Sequence, residues 1–349
     1  MKKIHIGIIF GGQSPEHSIS IISALNIING LDKNQFEISI FAISKNNKWI
    51  NQSASQKIVN GLKNSTVNDF SYVISPKKDS DIMKQAEIKK QLNNLDLVFP
   101  CIHGSYGEDG RLQEYLESNN IKFIGNNSKV SELCYDKSLT KNKLADLSIK
   151  QAEFAIYQID KIKDSQEEIT RRFSAPFFIK PSRGGSSIGV HKVNSFDEIV
   201  FHLDELKLID KTIIIEEEII GQEIECSIIG NKEPMIAKLG EIINNNGFYD
   251  FENKYENNTA EILIPANITE KISKQVSDIA LQTYKEFQLR GLARIDFFYR
   301  KKTNEIFLNE INTMPGFTNN SLFPKAWSES GIELNALIKK IVNYAGDNS

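Results

Sequence analysis

Cysteine is scarce in this sequence, and its placement excludes two common uses of that residue. The 349 residues contain only Cys101, Cys134 and Cys226, and no two of them form a C-x-x-C pair. An odd and scattered set indicates neither a disulfide framework nor the paired thiolates of a zinc site. We therefore expect three free thiols in a protein of a reducing compartment.

The chain also lacks a long hydrophobic run and an excess of positive charge. No stretch approaches the roughly 18 apolar residues that a membrane-spanning helix needs, so we expect no membrane partner. A net charge of −3 argues against a nucleic-acid partner, which would require a basic face. Residues 4–10 are apolar but short, and no cleavage pattern follows them, so they indicate a buried strand rather than a signal peptide. These features predict a cytoplasmic protein.

Two common nucleotide-binding motifs are missing as well. The sequence contains neither G-x-G-x-x-G, the fingerprint of dinucleotide-binding Rossmann enzymes, nor the G-x-x-x-x-G-K-[ST] of P-loop proteins. What is present is ordinary for a globular protein, with 40% hydrophobic and 25% charged residues. The length is sufficient for two or three domains.

The N-terminal part has the pattern of a doubly wound parallel sheet. Residues 4–10 and 36–43 predict buried strands, and the helix between them stops near Gly30. Ser14, Pro15 and Glu16 have the order of an N-cap, a first helical position and an acid in the first turn. A third strand, at 95–100, leads into the glycine-rich loop 103–110, the place where such sheets bind ligands. His103 in that loop is either a ligand contact or a structural residue.

A second glycine-rich loop connects strands predicted at 177–180 and 190–193. Its small residues at 183–189 offer backbone N–H groups that can close over phosphate oxygens. Such a loop is as often only a turn. Lys180, at the end of the preceding strand, and Lys137 can supply point charges to the same phosphates, although either alone would be a surface residue.

Two acids bracket the end of a strand predicted over 212–220. The carboxylates of Glu216 and Glu223 can accept hydrogen bonds from an adenine amine and ribose hydroxyls. A solvated acidic edge strand explains them equally well in isolation.

The strongest pattern is a predicted β-hairpin near the C-terminus. Residues 293–298 and 307–316 are rich in β-branched and aromatic residues, with the polar turn 301–304 between them. If the turn centres on Thr303, Asp296 faces Glu310 and Arg294 faces Asn312. Facing carboxylates destabilise a sheet unless something neutralises them, and Asp, Glu and Asn oxygens are ligands that Mg²⁺ takes. An exposed hairpin with solvated charges is the alternative.

Five motifs occur in a fixed order along the chain. They are Gly-Gly-Gln-Ser-Pro-Glu-His at 11–17, His-Gly-x-x-Gly-Glu-Asp-Gly at 103–110, Lys-Pro-x-x-x-Gly-Ser-Ser-x-Gly at 180–189, Arg-Ile-Asp at 294–296 and Asn-Glu-Ile-Asn-Thr-Met-Pro-Gly at 309–316. Together they resemble the D-alanine–D-alanine ligases, a branch of the ATP-grasp superfamily, over nearly the whole chain.

The resemblance implies an α/β protein of three parts. A doubly wound parallel-sheet domain at 1–127 would precede a two-subdomain ATP-grasp fold with antiparallel sheets, its central part at 128–212 and its C-terminal part at 213–349. The segment 244–259 would form a lid. The implied substrates are D-alanine and ATP, the implied cofactor is Mg²⁺ as two ions, with Mn²⁺ as a substitute, and the implied assembly is a homodimer.

The resemblance also assigns residues to roles. The metal ligands would be Asp296, Glu310 and Asn312. Nucleotide contacts would come from Lys137, Lys180, Ser186, Ser187, Glu216, Glu217, Ile219, Glu223, Lys254, Asn309 and Glu310. Substrate contacts would come from Glu16, His103, Lys254, Tyr255, Ser321 and Leu322. Glu16, Ser186 and Tyr255 are similar to the hydrogen-bonded trio of the family, Arg294 and the Gly316 N–H would stabilise an oxyanion, and Ser321 completes the catalytic set.

The alternative functions differ from D-alanine–D-alanine ligation either in the product that is formed or in having no catalytic activity. Tyr255 in the lid favours the dipeptide over the D-lactate ester, because ester-forming relatives resemble one another in having histidine there, and D-serine as second substrate stays open. Another ATP-grasp carboxylate–amine ligase would not share Glu16, Lys254 and Tyr255 in this order. A non-catalytic nucleotide-binding module would have lost a metal ligand or the phosphate loop, and both are present.

Overall fold

The computed structural model describes residues 2–63, 73–76, 78–243 and 261–346, which form three sheets. The strands are β1 Ile4–Gly11, β2 Phe36–Ile43, β3 Leu97–Cys101, β4 Phe154–Gln158, β5 Phe177–Pro181, β6 His191–Val193, β7 Thr212–Glu217, β8 Gln222–Gly230, β9 Met235–Ile236, β10 Gly240–Ile243, β11 Glu261–Leu263, β12 Gly291–Arg300 and β13 Glu305–Asn312. The helices are α1 His17–Gly30, α2 Gln52–Lys63, α3 Gln85–Leu92, α4 Arg111–Ser118, α5 Ser128–Tyr135, α6 Lys137–Asp146, α7 Gln166–Arg172, α8 Phe196–Ile209, α9 Glu270–Glu286, α10 Leu322–Glu329 and α11 Leu334–Gly346. None of these helices is long and apolar enough to span a bilayer.

The first sheet is parallel, as predicted, with strand order β2-β1-β3. β1 is buried from Ile6 onward, because it is the central strand and is covered on both faces. The predicted helix start is wrong. α1 begins at His17, and the Ser14 hydroxyl instead accepts the Glu16 N–H at 3.0 Å within a turn. This turn fixes the backbone of Glu16 at the entrance to the helix.

The second sheet is antiparallel, with strand order β4-β7-β5-β6, and it has its own hydrophobic core. The predicted strand at 212–220 ends earlier, since β7 stops at Glu217. Helix α8 is capped by Ser195, whose hydroxyl accepts the Glu198 N–H at 3.3 Å. The glycine-rich loop 183–189 connects β5 to β6, as the sequence indicated.

The third sheet is also antiparallel, with strand order β11-β10-β8-β12-β13 and β9 on β8. The prediction of an α/β fold with one parallel sheet followed by antiparallel sheets is therefore confirmed. The domain limits stay a prediction. We propose that the central part extends to the end of β7, because β7 lies inside the second sheet, whereas residues of α5 and α6 pack in the core of the third.

The C-terminal helices return to the first sheet. Phe317, Phe323 and Trp327 are buried in the same hydrophobic cluster as strands β1 and β3 and helix α1. The rings of Phe99 on β3 and Phe317 meet edge to face, with centroids 5.8 Å apart. The Asn26 side chain on α1 also donates a hydrogen bond to the Phe317 carbonyl at 2.9 Å. The two ends of the chain thus share one core.

Candidate active site

The predicted hairpin is formed by β12 and β13, and its register places the predicted ligands as expected. Asp296 pairs with Glu310, and Arg294 pairs with Asn312. The predicted centre of the turn at Thr303 is wrong, because beyond a β-bulge the pairing shifts by one and Phe297 faces Leu308. The residue left over between Leu308 and Glu310 is Asn309. Bulges re-aim side chains, and both Asn309 and Glu310 line the neighbouring cleft.

Arg294 lies among three carboxylates at this end of the hairpin. Its Nε is 2.8 Å from Asp296 Oδ1 and 3.1 Å from Glu225 Oε2, and a terminal nitrogen is 2.7 Å from Asp296 Oδ2. Burial opposes the charge, but Asp296, Glu225 and Glu310 outweigh it and raise the pKa of the guanidinium well above its usual value. Glu225 was not predicted from the sequence, and it lies on β8 directly opposite Asp296 on β12. Glu223 and Glu225 are two positions apart, so on a strand they lie on the same face, and this spacing could have indicated Glu225.

The hairpin fits a hard divalent cation. Asp296 is 2% exposed, and Asn312 donates to its Oδ2 at 2.9 Å, so these two predicted ligands are already in contact. Three carboxylates around one guanidinium leave an excess of negative charge on neighbouring strands. Oxygen donors and negative charge are what Mg²⁺ requires.

A cleft of about 380 Å³ opens between the second and third sheets. It is lined by the predicted nucleotide contacts Lys137, Lys180, Ser186, Ser187, Glu216, Glu217, Ile219, Glu223, Asn309 and Glu310. The volume is within the usual range for small-molecule sites. Lys254 and Tyr255, with the rest of the predicted lid, lie outside the described residues.

The floor of this cleft contains a buried ion triad. The Glu216 carboxylate contacts the ammonium groups of Lys180 and Lys141. Burial alone would raise the pKa of Glu216, but the two lysines lower it to about 2. The structure thus gives Glu216 a role in holding Lys180, and its contact with a nucleotide stays a prediction. Lys141 was not predicted as a site residue. It follows Lys137 by one helical turn, so the two lysines lie on the same face of the helix, and this spacing could have indicated it.

The loop 183–189 is held by the start of helix α6. Asp136 caps this helix and also accepts hydrogen bonds from the Ser182 hydroxyl at 2.5 Å and from Arg183 Nε at 3.0 Å. The Lys137 ammonium donates to the Gly184 carbonyl at 2.5 Å. Ser186 and Ser187 both have positive φ angles, 52° and 59°. The loop is therefore a fixed, unusual turn rather than a regular hairpin.

Glu16 lies in a second cleft, between the first sheet and this loop. One of its carboxylate oxygens is 3.3 Å from the point where a β-carbon on Gly104 or Gly185 would stand, so it lies close to the backbone of both loops. Gly184 and Gly185 line both clefts and the small space between them. The structure therefore brings Glu16 next to the loop of Ser186.

His103 is buried beneath the glycine loop. Its Nδ1 is 3.1 Å from the Met314 carbonyl and 3.6 Å from the Glu108 carboxylate, and its Nε2 is 3.2 Å from the Ser23 hydroxyl. Burial lowers its pKa, but Glu108 and Glu16 outweigh burial and raise it. Within the described part of the chain, His103 lines neither cleft. The structure gives it a positioning role, and direct substrate contact stays a prediction.

The last predicted residues meet at the start of helix α10. Ser321 stands at the N-cap position, and its hydroxyl accepts the Thr318 N–H at 3.0 Å. A β-carbon on Gly316 would be 2.8 Å from that hydroxyl, so the two residues are adjacent. The Leu322 side chain is buried, which leaves its backbone N–H as the group that can meet a ligand. A helix N-terminus of this kind favours a carboxylate.

Comparisons with known proteins agree with this geometry. The family model "D-ala D-ala ligase N-terminus" matches residues 5–126, and "D-ala D-ala ligase C-terminus" matches residues 144–343. A D-alanine–D-alanine ligase of Natranaerobius thermophilus is 35% identical over 350 residues, with 99% of this chain and 95% of that protein covered.

Solved structures show the same relationship. The VanG D-Ala:D-Ser ligase of Enterococcus faecalis gives a TM-score of 0.82 at 29% identity, with 99% of this chain and 100% of that chain covered. The D-alanine–D-alanine ligase of Coxiella burnetii gives 0.79 at 32% identity, with 99% and 96% covered. Since both family models and a full-length relative match, the chain belongs to the D-alanine–D-alanine ligase family.

Proposed function

We propose that this chain joins two molecules of D-alanine to D-alanyl-D-alanine, a peptidoglycan precursor, while ATP is converted to ADP and phosphate. Family membership over nearly the whole length supports the reaction. The observation that carries the assignment to residues is the pairing of Asp296 with Glu310 beside a cleft that contains two lysines and a glycine-rich loop.

The first step is transfer of the γ-phosphoryl group to a carboxylate. The carboxylate oxygen of the first D-alanine attacks the γ-phosphorus, the bond to the bridging oxygen breaks, and D-alanyl phosphate and ADP result. Such a transfer depends mainly on positioning and on neutralising the phosphate oxygens. Lys137, Lys180 and the backbone N–H groups of the 183–189 loop supply these charges and donors, and Glu216, which also pairs with Lys141, holds Lys180.

Asp296, Glu310 and Asn312 would hold magnesium, as two ions, with manganese as a substitute. When bound, the metal supplies further neutralisation of the triphosphate and of the transferring group. The other nucleotide contacts, from Ser187, Glu217, Ile219, Glu223 and Asn309, are proposed from their place on the cleft wall.

The second step forms the peptide bond. The amine of the second D-alanine attacks the carbonyl carbon of D-alanyl phosphate, phosphate leaves, and the amine loses a proton. Arg294 and the Gly316 N–H are proposed to stabilise the oxyanion, where one donor is typically worth about 3 kcal/mol. Glu16 would hold the ammonium of the first D-alanine, and the N-terminus of α10 at Ser321 and Leu322 the carboxylate of the second.

Exchange of one ligand of the proposed metal site tests this assignment. Glu310→Gln keeps the shape of the side chain and removes its charge, so we expect D-alanine-dependent ADP release to fall at least 100-fold with an unchanged melting temperature. Glu305→Gln is the matched control, since Glu305 lies on the same strand but is paired with Lys150 and lines neither cleft. Near-wild-type turnover by Glu310→Gln would refute the assignment.

A D-alanine–D-serine ligase is the second candidate, and the similarity to the VanG D-Ala:D-Ser ligase favours it. Measuring ADP formation with D-alanine, L-alanine, D-lactate and D-serine in turn, followed by product identification, separates the two. We expect D-alanyl-D-alanine as the main product. The cytoplasmic location and the homodimer stay predictions.

A further inference from the structure

Three side chains that commonly bind metals come together away from both clefts. His191 lies on β6, and His202 and Glu205 lie on α8. Their donor atoms are all within 4.8 Å of one another, and this is the only such group of three or more His, Cys, Asp or Glu residues among those described. His191 Nε2 is 3.0 Å from Glu205 Oε2, and His202 Nδ1 is 3.8 Å from the same oxygen.

The spacing of the donor atoms is close to the spacing of ligands in a tetrahedral site. Bonds of about 2.0–2.1 Å to nitrogen and oxygen place neighbouring donors of a tetrahedral zinc site roughly 3.3 Å apart, between the two distances measured here. The histidine side chains are 23% exposed and that of Glu205 is 50% exposed. An ion can therefore enter from solvent, and water can complete its coordination.

We propose that His191, His202 and Glu205 form a binding site for a transition metal of the zinc type, separate from the magnesium site. Imidazole nitrogen suits Zn²⁺, Cu²⁺ and Ni²⁺, whereas Mg²⁺ selects oxygen donors. The two sites thus differ in ligand chemistry as well as in position.

The two imidazole rings are stacked, with centroids 3.7 Å apart and planes 12° apart. An ion binds an imidazole nitrogen in the plane of its ring, so two parallel stacked rings cannot both bind the same ion, and one of these partly exposed rings must turn when a metal enters. Two protonated rings in this arrangement would repel each other, so it is unfavourable for both histidines to be charged while they contact Glu205. The alternative to a metal is one ring hydrogen-bonded to Glu205 and a second ring stacked on it. That arrangement needs no ion, and the experiment below distinguishes the two.

The three side chains lie close to the loop 183–189, which we propose contacts the phosphates of ATP. β6 begins two residues after Gly189, the last residue of that loop. A β-carbon on Gly189 would be 2.6 Å from the Ile209 side chain, at the end of α8, so helix and loop are in close contact. An ion bound by His191 and His202 would fasten α8 to β6. We therefore expect bound zinc to stabilise the central part of the molecule.

Titration of the full chain with zinc tests the proposal without any use of ligase activity. After treatment with a chelator, and with saturating Mg²⁺ present to occupy the oxygen site, calorimetry should show one equivalent of Zn²⁺ bound with micromolar affinity or better. Zinc should also raise the melting temperature. His202→Ala and Glu205→Gln should each weaken binding by about 10–100-fold.

His5→Gln is the matched control, because it removes an imidazole on β1 that is hydrogen-bonded to Ser39 and far from this group in the fold. It should bind zinc as the wild type does. Circular dichroism without zinc establishes that both site variants are folded, and the exposed Glu205 makes its variant the safer of the two. Absence of one-to-one binding in the wild type, or unchanged affinity in the folded site variants, would overturn the proposal.

Discussion

Glu216 shows how burial changes the meaning of a single residue. From the sequence it was a candidate for contact with a base or sugar. In the structure it is buried between two ammonium groups, whose own burial is tolerable only because the carboxylate is there. Side-chain type and spacing predict that charged residues approach a site. They do not show which charges are desolvated together, and for this reason Lys141 and Glu225 were missed.

Replacing Glu216 by Gln should destabilise the protein by about 3 kcal/mol at pH 7, because two buried lysines lose their counter-charge. The pKa of Glu216 is about 2 in the folded state against an ordinary value of 4.5. A lowered pKa contributes stability that is present above pH 4.5 and is lost as the pH falls towards 2. The difference between variant and wild type in urea unfolding should therefore shrink over that range. Glu153→Gln, in an exposed pair with Arg172, should cost less than about 1 kcal/mol.

Arg294 permits a second test at this scale. Arg294→Lys keeps the positive charge but loses the fork that contacts Asp296 through two nitrogens. We expect kcat to fall by about 10²–10³-fold, with a smaller change in the KM for ATP. Arg300→Lys on the same strand, half-buried and distant from Asp296, is the control. If Arg294→Lys and Arg300→Lys had the same kcat and the same KM for ATP, Arg294 would not be part of the proposed oxyanion site.

The hairpin of β12 and β13 shows what sequence reasoning can predict about an element. The β-branched and aromatic content of two segments and the polar turn between them predicted both strands and the pairing of Asp296 with Glu310. The bulge at Asn309 was not predictable, because an extra residue leaves no mark in the alternation of so short a strand. The actual turn is centred half a residue before Thr303, and the extra residue Asn309 shifts the register back by the same amount, so the predicted ligand pairs are still correct.

The phosphate loop should be sensitive to any side chain at Gly189. Its φ angle is 70°, and a β-carbon would meet the Ile209 side chain at 2.6 Å. Gly189→Ala should therefore distort the loop and raise the KM for ATP several-fold, while the unfolding free energy falls by about 1–2 kcal/mol. Gly61→Ala is the control, since its helical position has no neighbour within 4 Å, and it should be neutral or slightly stabilising. An unchanged KM in Gly189→Ala would contradict this view of the loop.

At the scale of the whole molecule, the shared core of the first sheet and the C-terminal helices was not visible in the sequence. The hydrophobic periodicity of α10 and α11 predicts that they bury a face, but not against which partner. In the structure that partner is the first sheet, because Trp327 and Ile338 lie in one hydrophobic cluster with β1 and β3. The order of motifs predicted a parallel sheet followed by antiparallel sheets, whereas this contact depends on the folded path of the chain.

This core predicts that the two ends of the chain unfold together. The protein has two tryptophans, Trp49 near the first sheet and Trp327 on α10. Single-tryptophan variants, Trp327→Phe and Trp49→Phe, should give superimposable fluorescence transitions in urea once corrected for their own stabilities. Ile338→Ala should shift both transitions by about 2–5 kcal/mol. Separate midpoints for the two probes would show that the ends fold independently.

The contact of Phe99 with Phe317 also has a consequence for biosynthesis. A ribosome makes the first sheet early, but the aromatic side chains that cover it, at positions 317, 323 and 327, are made much later. Until then, apolar surface on the nascent domain stays open to water and to other chains. Chaperone dependence and early aggregation should therefore centre on this stage of synthesis, and loss of even a short stretch at the carboxyl end should be felt first at the opposite end.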